Sequence, residues 1–202
     1  MGTPIRLLAL AGLVSAAVGC GDVIRQGRSP VIVVVNSILA IRGNGGPAST
    51  VLLSDVQTLV RTPLPCTPAS PCPTVFNDYG RATFSLAMKN ITVTPTTNNQ
   101  VQITRYTVRY RRNDGRNVEG IDIPYPFDGA VTATISIGPL TEVAFELVRH
   151  VAKEESPLVQ LINNPNIITT IAEVTFYGSD LTGNAVTATG SLVVEFGNFG
   201  DF

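Results

Sequence analysis

The feature that most restricts this chain is a two-residue alternation of apolar and polar side chains, repeated from residue 81 to residue 196. Successive side chains of a β-strand point to opposite faces, so this pattern marks strands with one buried and one wet face. Phe84, Leu86 and Met88 share one parity against Thr83 and Ser85. Tyr106, Val108 and Tyr110 alternate with Arg105, Thr107, Arg109 and Arg111. Val131, Ala133, Ile135 and Ile137 alternate with Thr132, Thr134 and Ser136, and Val143, Phe145 and Leu147 with Ala144 and Glu146. In the tail Ile168, Ala172, Val174 and Phe176 keep one parity, as do Val186, Ala188, Leu192, Val194 and Phe196, with Gly190 as the expected site of a bulge.

The same reading extends upstream. Residues 31–35 and 38–41 are β runs, residues 43–47 break them with three glycines and a proline, and residues 49–60 form a second β region. Ile91 and Val93 change parity, which puts a bulge or strand end near Lys89 and Asn90. The one short helix is expected after Lys153-Glu154-Glu155, with Ser156 as cap, Pro157 in the first turn and Leu158, Leu161 and Ile162 as its apolar stripe. About eight strands without recurring helices predict an all-β chain, a β-sandwich with a small barrel as the alternative. The pattern resembles immunoglobulin-like and fibronectin-like sandwiches. With no Trp the Cys…Trp…Cys signature is missing, so the resemblance lies in pattern and implies no family function. A membrane barrel would need repeated lipid-facing strands with aromatic girdles, whereas five Tyr and eight Phe are scattered here.

The first twenty residues carry an address. Arg6 precedes residues 7–18 (LLALAGLVSAAV), an apolar run of signal-peptide length and shorter than the ~20 residues a spanning helix needs. The run closes on Ala17-Val18-Gly19-Cys20, where small residues suit a peptidase cleft and a thiol follows that can be thioether-linked to diacylglycerol. This resembles the lipobox of bacterial lipoproteins, with Ala17 in place of the favoured Leu. The resemblance implies a cleaved signal at 1–19, a lipidated Cys20 with a short tether to residue 29, and a domain at 30–202 formed by one sandwich or two small ones. It also implies membrane attachment through acyl chains such as palmitate, in an outer membrane facing the periplasm. An ordinary signal peptidase cut, giving a secreted or periplasmic protein, is the alternative.

Charge and cysteine usage agree with export. Fourteen basic and fifteen acidic residues leave no basic surplus for phosphate contacts, so no nucleic-acid partner is expected. Cys66 and Cys72 lie among prolines 63, 65, 68, 71 and 73, and an even, close pair in an oxidising compartment predicts a disulfide in a proline-rich loop. Two thiolates with no neighbouring His or Cys do not make a zinc site, and neither metal nor cofactor is expected.

Chemistry-bearing residues are sparse. His150, expected at a strand end, has no nucleophile motif beside it. Asp122, Asp128, Glu142, Glu146, Glu173 and Glu195 are dispersed, and the turns 114–119 and 180–184 offer oxygen atoms in ordinary turn chemistry rather than a calcium loop. Two features invite recognition. Arg105, Arg109 and Arg111 share a strand face, either as a stripe for an acidic glycan or protein, or as outward residues paired with carboxylates such as Glu146 or Glu173. Residues 122–128 (DIPYPFD) set Tyr125 and Phe127 between prolines, as a cover for the core or as a binding edge. The expected role is a noncatalytic envelope lipoprotein that supports structure or contacts an envelope protein or glycan. A ligand-binding module for an acidic glycan or small molecule, and a hydrolase, are the competing expectations.

Overall fold

The computed structural model describes residues 28–199. The expected signal segment at 1–19, Cys20 and the tether up to residue 27 lie outside the described residues. The strands are β1 (Val31–Ile41), β2 (Val51–Asp55), β3 (Thr58–Val60), β4 (Cys72–Thr74), β5 (Asp78–Met88), β6 (Gln100–Arg111), β7 (Phe127–Ser136), β8 (Thr141–Val148), β9 (Ile168–Asp180) and β10 (Ala185–Gly197). A one-turn helix α1 (His150–Glu154) and a 3₁₀ helix (Leu158–Asn163) lie between β8 and β9.

Three strands in the order β1-β5-β8 form one sheet, and five in the order β2-β10-β9-β6-β7 form the other. Every pairing in them is antiparallel except β2 with β10, where Val51 stands beside Val193 in parallel. The inward parity of each strand supplies the core, and side chains from both sheets join in one buried cluster, a β-sandwich-like arrangement. Rings scattered in the sequence meet at its centre. Phe84 of β5 stands edge-on to Phe176 of β9 at 4.8 Å, and Phe145 of β8 packs against Phe176 at 5.3 Å and Tyr106 at 5.2 Å. Such pairs add about 0.5–1.5 kcal/mol each beyond area burial.

The alternation holds with local corrections. In β6 the register shifts between Ile103 and Arg105, so Val101 and Ile103 are buried as well as Tyr106, Val108 and Tyr110. Residues 31–35 and 38–41 are one strand whose shift lies between Val35 and Ser37. Gly190 marks no bulge, because β10 pairs with β9 through it without interruption. Its bare Cα instead admits β1, since a Cβ there would meet Ile38 at 2.7 Å and Val35 at 2.9 Å. The expected helix is divided: α1 starts earlier, at His150, and the stripe Leu158–Ile162 lies in the 3₁₀ segment. Ser156 does not cap it; Pro157 occupies the cap position, with no side-chain cap hydrogen bond.

The segment between β2 and β5 lies apart from both sheets. β3 and β4 pair with each other, and Cys66 and Cys72 are joined by a disulfide across a Cα separation of 5.3 Å.

Candidate functional site

The seam where β7 approaches β8 gathers Asp128, Glu146, Tyr125 and Phe127 from among the candidate residues. Gly80 on β5 and Gly129 on β7 present no side chain, so Phe145 and Tyr106 from the neighbouring strands lie directly over their backbones. That close approach leaves a hollow of about 440 Å³ lined by Tyr79, Tyr106, Asp128, Phe145, Glu146 and Arg149. A smaller one of about 190 Å³, walled by Pro124, Tyr125, Phe127, Val151 and Ala152, lies on the other side of Arg149.

Arg149 organises this surface. Its guanidinium lies 4.1 Å over the Phe127 ring, donates to the Asp128 carbonyl at 2.6 Å and pairs with Glu146 at 3.8 Å. Glu146 also accepts from the Asn77 amide at 2.9 Å, and Asn77 Oδ1 receives the His150 backbone N–H at 2.6 Å with His150 Nδ1 at 2.9 Å. The Tyr106 hydroxyl accepts the Glu146 N–H at 3.1 Å, and the Tyr110 hydroxyl donates to the Leu147 carbonyl at 2.6 Å. Two residues of β6 thereby satisfy backbone groups of β8, an edge strand that would otherwise offer them to another chain. Burial pushes both phenols above their ordinary range; at Tyr106 the Glu146 N–H opposes that rise.

The remaining candidates sort by their partners. Arg105, Arg109 and Arg111 share the exposed face of β6. Arg105 lies 4.2 Å over the Tyr177 ring and 3.9 Å from Asp128, while Arg109 stands opposite Glu173 in the β6–β9 register. Glu146 is not a partner of this stripe: it belongs to the other sheet and meets Arg149. Tyr125 and Phe127 do not form one exposed aromatic edge. Tyr125 is exposed against Gly120, whereas Phe127 is half-buried between Arg149 and Tyr106. His150 opens α1 rather than ending a strand.

The turn carboxylates are occupied by the turns themselves. Asp114 accepts from Arg112 and the Arg116 N–H, and Asp122 from Arg116 and the Val118 N–H. Burial alone would raise the Asp180 carboxyl, but donors from Asn184, Thr182 and Ser29 outweigh it and hold it at about 2. Among the described residues no group of three His, Cys, Asp or Glu side chains is placed to hold a metal ion.

One charged centre gave no sequence signal. Lys153 of α1 and Asp78 of β5 meet at 2.8 Å with side chains only 1% and 2% exposed. Asp78 Oδ2 also accepts from Ser54 Oγ at 2.6 Å, and Oδ1 from the Gly43 N–H at 2.9 Å. The pair therefore ties α1, β2 and the turn after β1 to the start of β5.

Comparison with known proteins finds no matching family model, no matching curated protein and no matching solved structure.

Proposed function

We propose that this chain is an exported envelope lipoprotein, lipid-linked at Cys20, whose sandwich contacts another envelope component and does not catalyse a reaction. The domain reads as immunoglobulin-like. With β3 and β4 set aside, β1-β5-β8 faces β2-β10-β9-β6-β7, and the first part of the chain divides between the sheets so that β2 runs parallel to the last strand. That order supports the reading without the Trp and core disulfide of antibody domains.

The observation that carries the interaction role is polarity along the sandwich. Pairing sets Val31 beside Met88, Val101 beside Asp180 and Gln100 beside Ser136 at one end. Asp78 beside Val148 marks the far end of β5, and Val108 beside Phe127 marks the start of β7. Ser29, hydrogen-bonded to Asp180, belongs to the first end, and the seam around Arg149 to the second. Phe127 and Val108 stand level with Val174, six residues from Asp180 on β9, and Tyr79 is nine residues from Met88 on β5, so at ~3.3 Å per residue the two ends are separated by roughly 20–30 Å along the strands. A tether leaving at residue 28 thus supports an arrangement in which the lipid lies at one pole and the aromatic and charged seam is held out at the other. A glycan is the second reading for what meets the seam, favoured by Tyr79, Tyr106 and Arg149 lining one hollow.

The mature N-terminal peptide of native protein should begin at Cys20 and carry lipid mass. Cys20→Ser should yield unprocessed precursor or a soluble product. An unlipidated terminus in most of the native protein overturns the anchor. Pull-downs from gently solubilised membranes should recover a component that is lost when Tyr79 and Tyr125 are both replaced by Ala. Undiminished recovery with that variant removes the seam from the reading.

A further inference from the structure

We infer that Lys153 and Asp78 are the two ends of an intramolecular amide bond, formed between Nζ and Cγ once the chain has folded. The inference is independent of the envelope role and rests on how the four groups of the buried centre are disposed.

The two oxygens of Asp78 have different partners, and each suits one half of a condensation. Oδ1 faces the Gly43 N–H at 2.9 Å, where negative charge would collect when a nucleophile adds to Cγ. Oδ2 faces the nucleophile's ammonium at 2.8 Å and the Ser54 hydroxyl at 2.6 Å, the protons it needs in order to leave. Nζ gives one proton to Oδ2, and a small rotation about the Asp78 Cβ–Cγ bond turns the face of the carboxyl group toward the freed lone pair. The nitrogen adds, Oδ1 takes the charge, and a second proton passes from nitrogen through Ser54 Oγ to Oδ2. The Cγ–Oδ2 bond then breaks and one water leaves. An ammonium and a carboxylate have become one neutral amide and water, with no oxidant, cofactor or further reactant.

Position and burial favour the step. Folding holds amine and carboxylate in contact, which replaces a bimolecular encounter by an intramolecular one worth orders of magnitude in rate. Two desolvated charges are costly to keep in a protein interior, and the amide removes both. With 1% and 2% exposure, bulk water has little access to reverse the reaction. The product would fasten α1, next to the seam, covalently to the start of β5.

The full-length protein, reduced, alkylated and digested with trypsin, tests this directly. The bond predicts one branched species joining residues 62–81 to residues 150–202, lighter than the two peptides together by the mass of one water. Cleavage after Lys153 should fail, because its side chain no longer carries charge. Lys153→Arg, which cannot form the link and is itself cut by trypsin, should give residues 62–81, 150–153 and 154–202 as separate linear peptides. Ser54→Ala should form the branched species more slowly after synthesis, and an unchanged rate would remove Ser54 as the proton relay. Release of a free, unmodified peptide 150–153 from most of the wild-type protein overturns the bond itself, and because it is read on wild type the result does not depend on any variant folding.

Discussion

Two charged regions of this molecule use the same residue chemistry under opposite conditions. Before any amide forms, the Lys153–Asp78 pair is sealed in the interior as two charges, whereas Arg105–Asp128 has side chains 53% and 61% exposed and Arg149–Glu146 has 41% and 37%. In water the surface pairs exchange solvent for one another at little net gain, and salt screens them. Inside, neither partner has that alternative. Removing one leaves the other desolvated and unpaired. The buried pair thus acts as a fastening between elements distant in sequence, and the surface pairs shape a face without holding the fold together.

The comparison breaks most visibly at Lys153. Lys153→Ala should cost about 3–5 kcal/mol relative to Lys153→Arg, which keeps the cation but cannot form the amide, because Asp78 would keep its burial and lose its cation. The check is the urea unfolding midpoint at constant m-value. A loss below about 1 kcal/mol would mean that the interior is wet enough to behave like the surface.

A smaller effect is expected at Asp180, partway between the two regimes. Its folded carboxyl is held at about 2, below the unfolded value near 4. A depressed carboxyl contributes stability that is fully present above the unfolded pKa and is lost as pH falls from about 4 to 2. Asn184→Ala removes the side-chain donor to Asp180 Oδ2 and leaves the backbone N–H that bonds Oδ1. Thermal melts of that variant should lose stability at neutral pH and show a shallower decline across this acid window than wild type. An unchanged acid limb would relocate the effect to another carboxylate.

The least effect is expected on the exposed stripe. Replacing Arg105, Arg109 and Arg111 together with Ser should change stability by no more than about 1 kcal/mol and leave partner recovery nearly intact. Loss of a specific partner from that folded variant would show that the surface charges are used for recognition.

The sequence carried the strands because burial on one face imposes a period of two, and Phe84, Leu86, Val143, Phe145 and Val174 all face inward as their parity requires. The Cys66–Cys72 link was legible for a similarly local reason, six positions apart in a stiff loop. What failed was pairing across the fold. Gly190 looked like a break because Val35 and Ile38, which need its open space, lie on a strand far upstream. Lys153 and Asp78 went unread as a pair because nothing near either one in the sequence announces burial. The outward face of the arginine stripe could be read, but not that Asp128 arrives beside Arg105 from β7, or that Glu146 belongs to the other sheet. The seam is a product of topology: Tyr79, Asp128 and Arg149 come from separate strand ends and share no motif.

The parallel pairing of β2 with β10 also dictates an order of events in time. Val51 finds its hydrogen-bonded neighbour only at Val193, so β2 can take its place only after nearly the whole domain has been synthesised. Antiparallel neighbours such as β6 and β7, or β9 and β10, close much shorter loops and reach their partners first. For a chain delivered amino end first, Leu52 and Leu53 appear well before the strand that covers them. Folding therefore ends where the chain nearly began, and until it does, this short segment is the part of the molecule most open to a chaperone, a protease or a neighbouring copy.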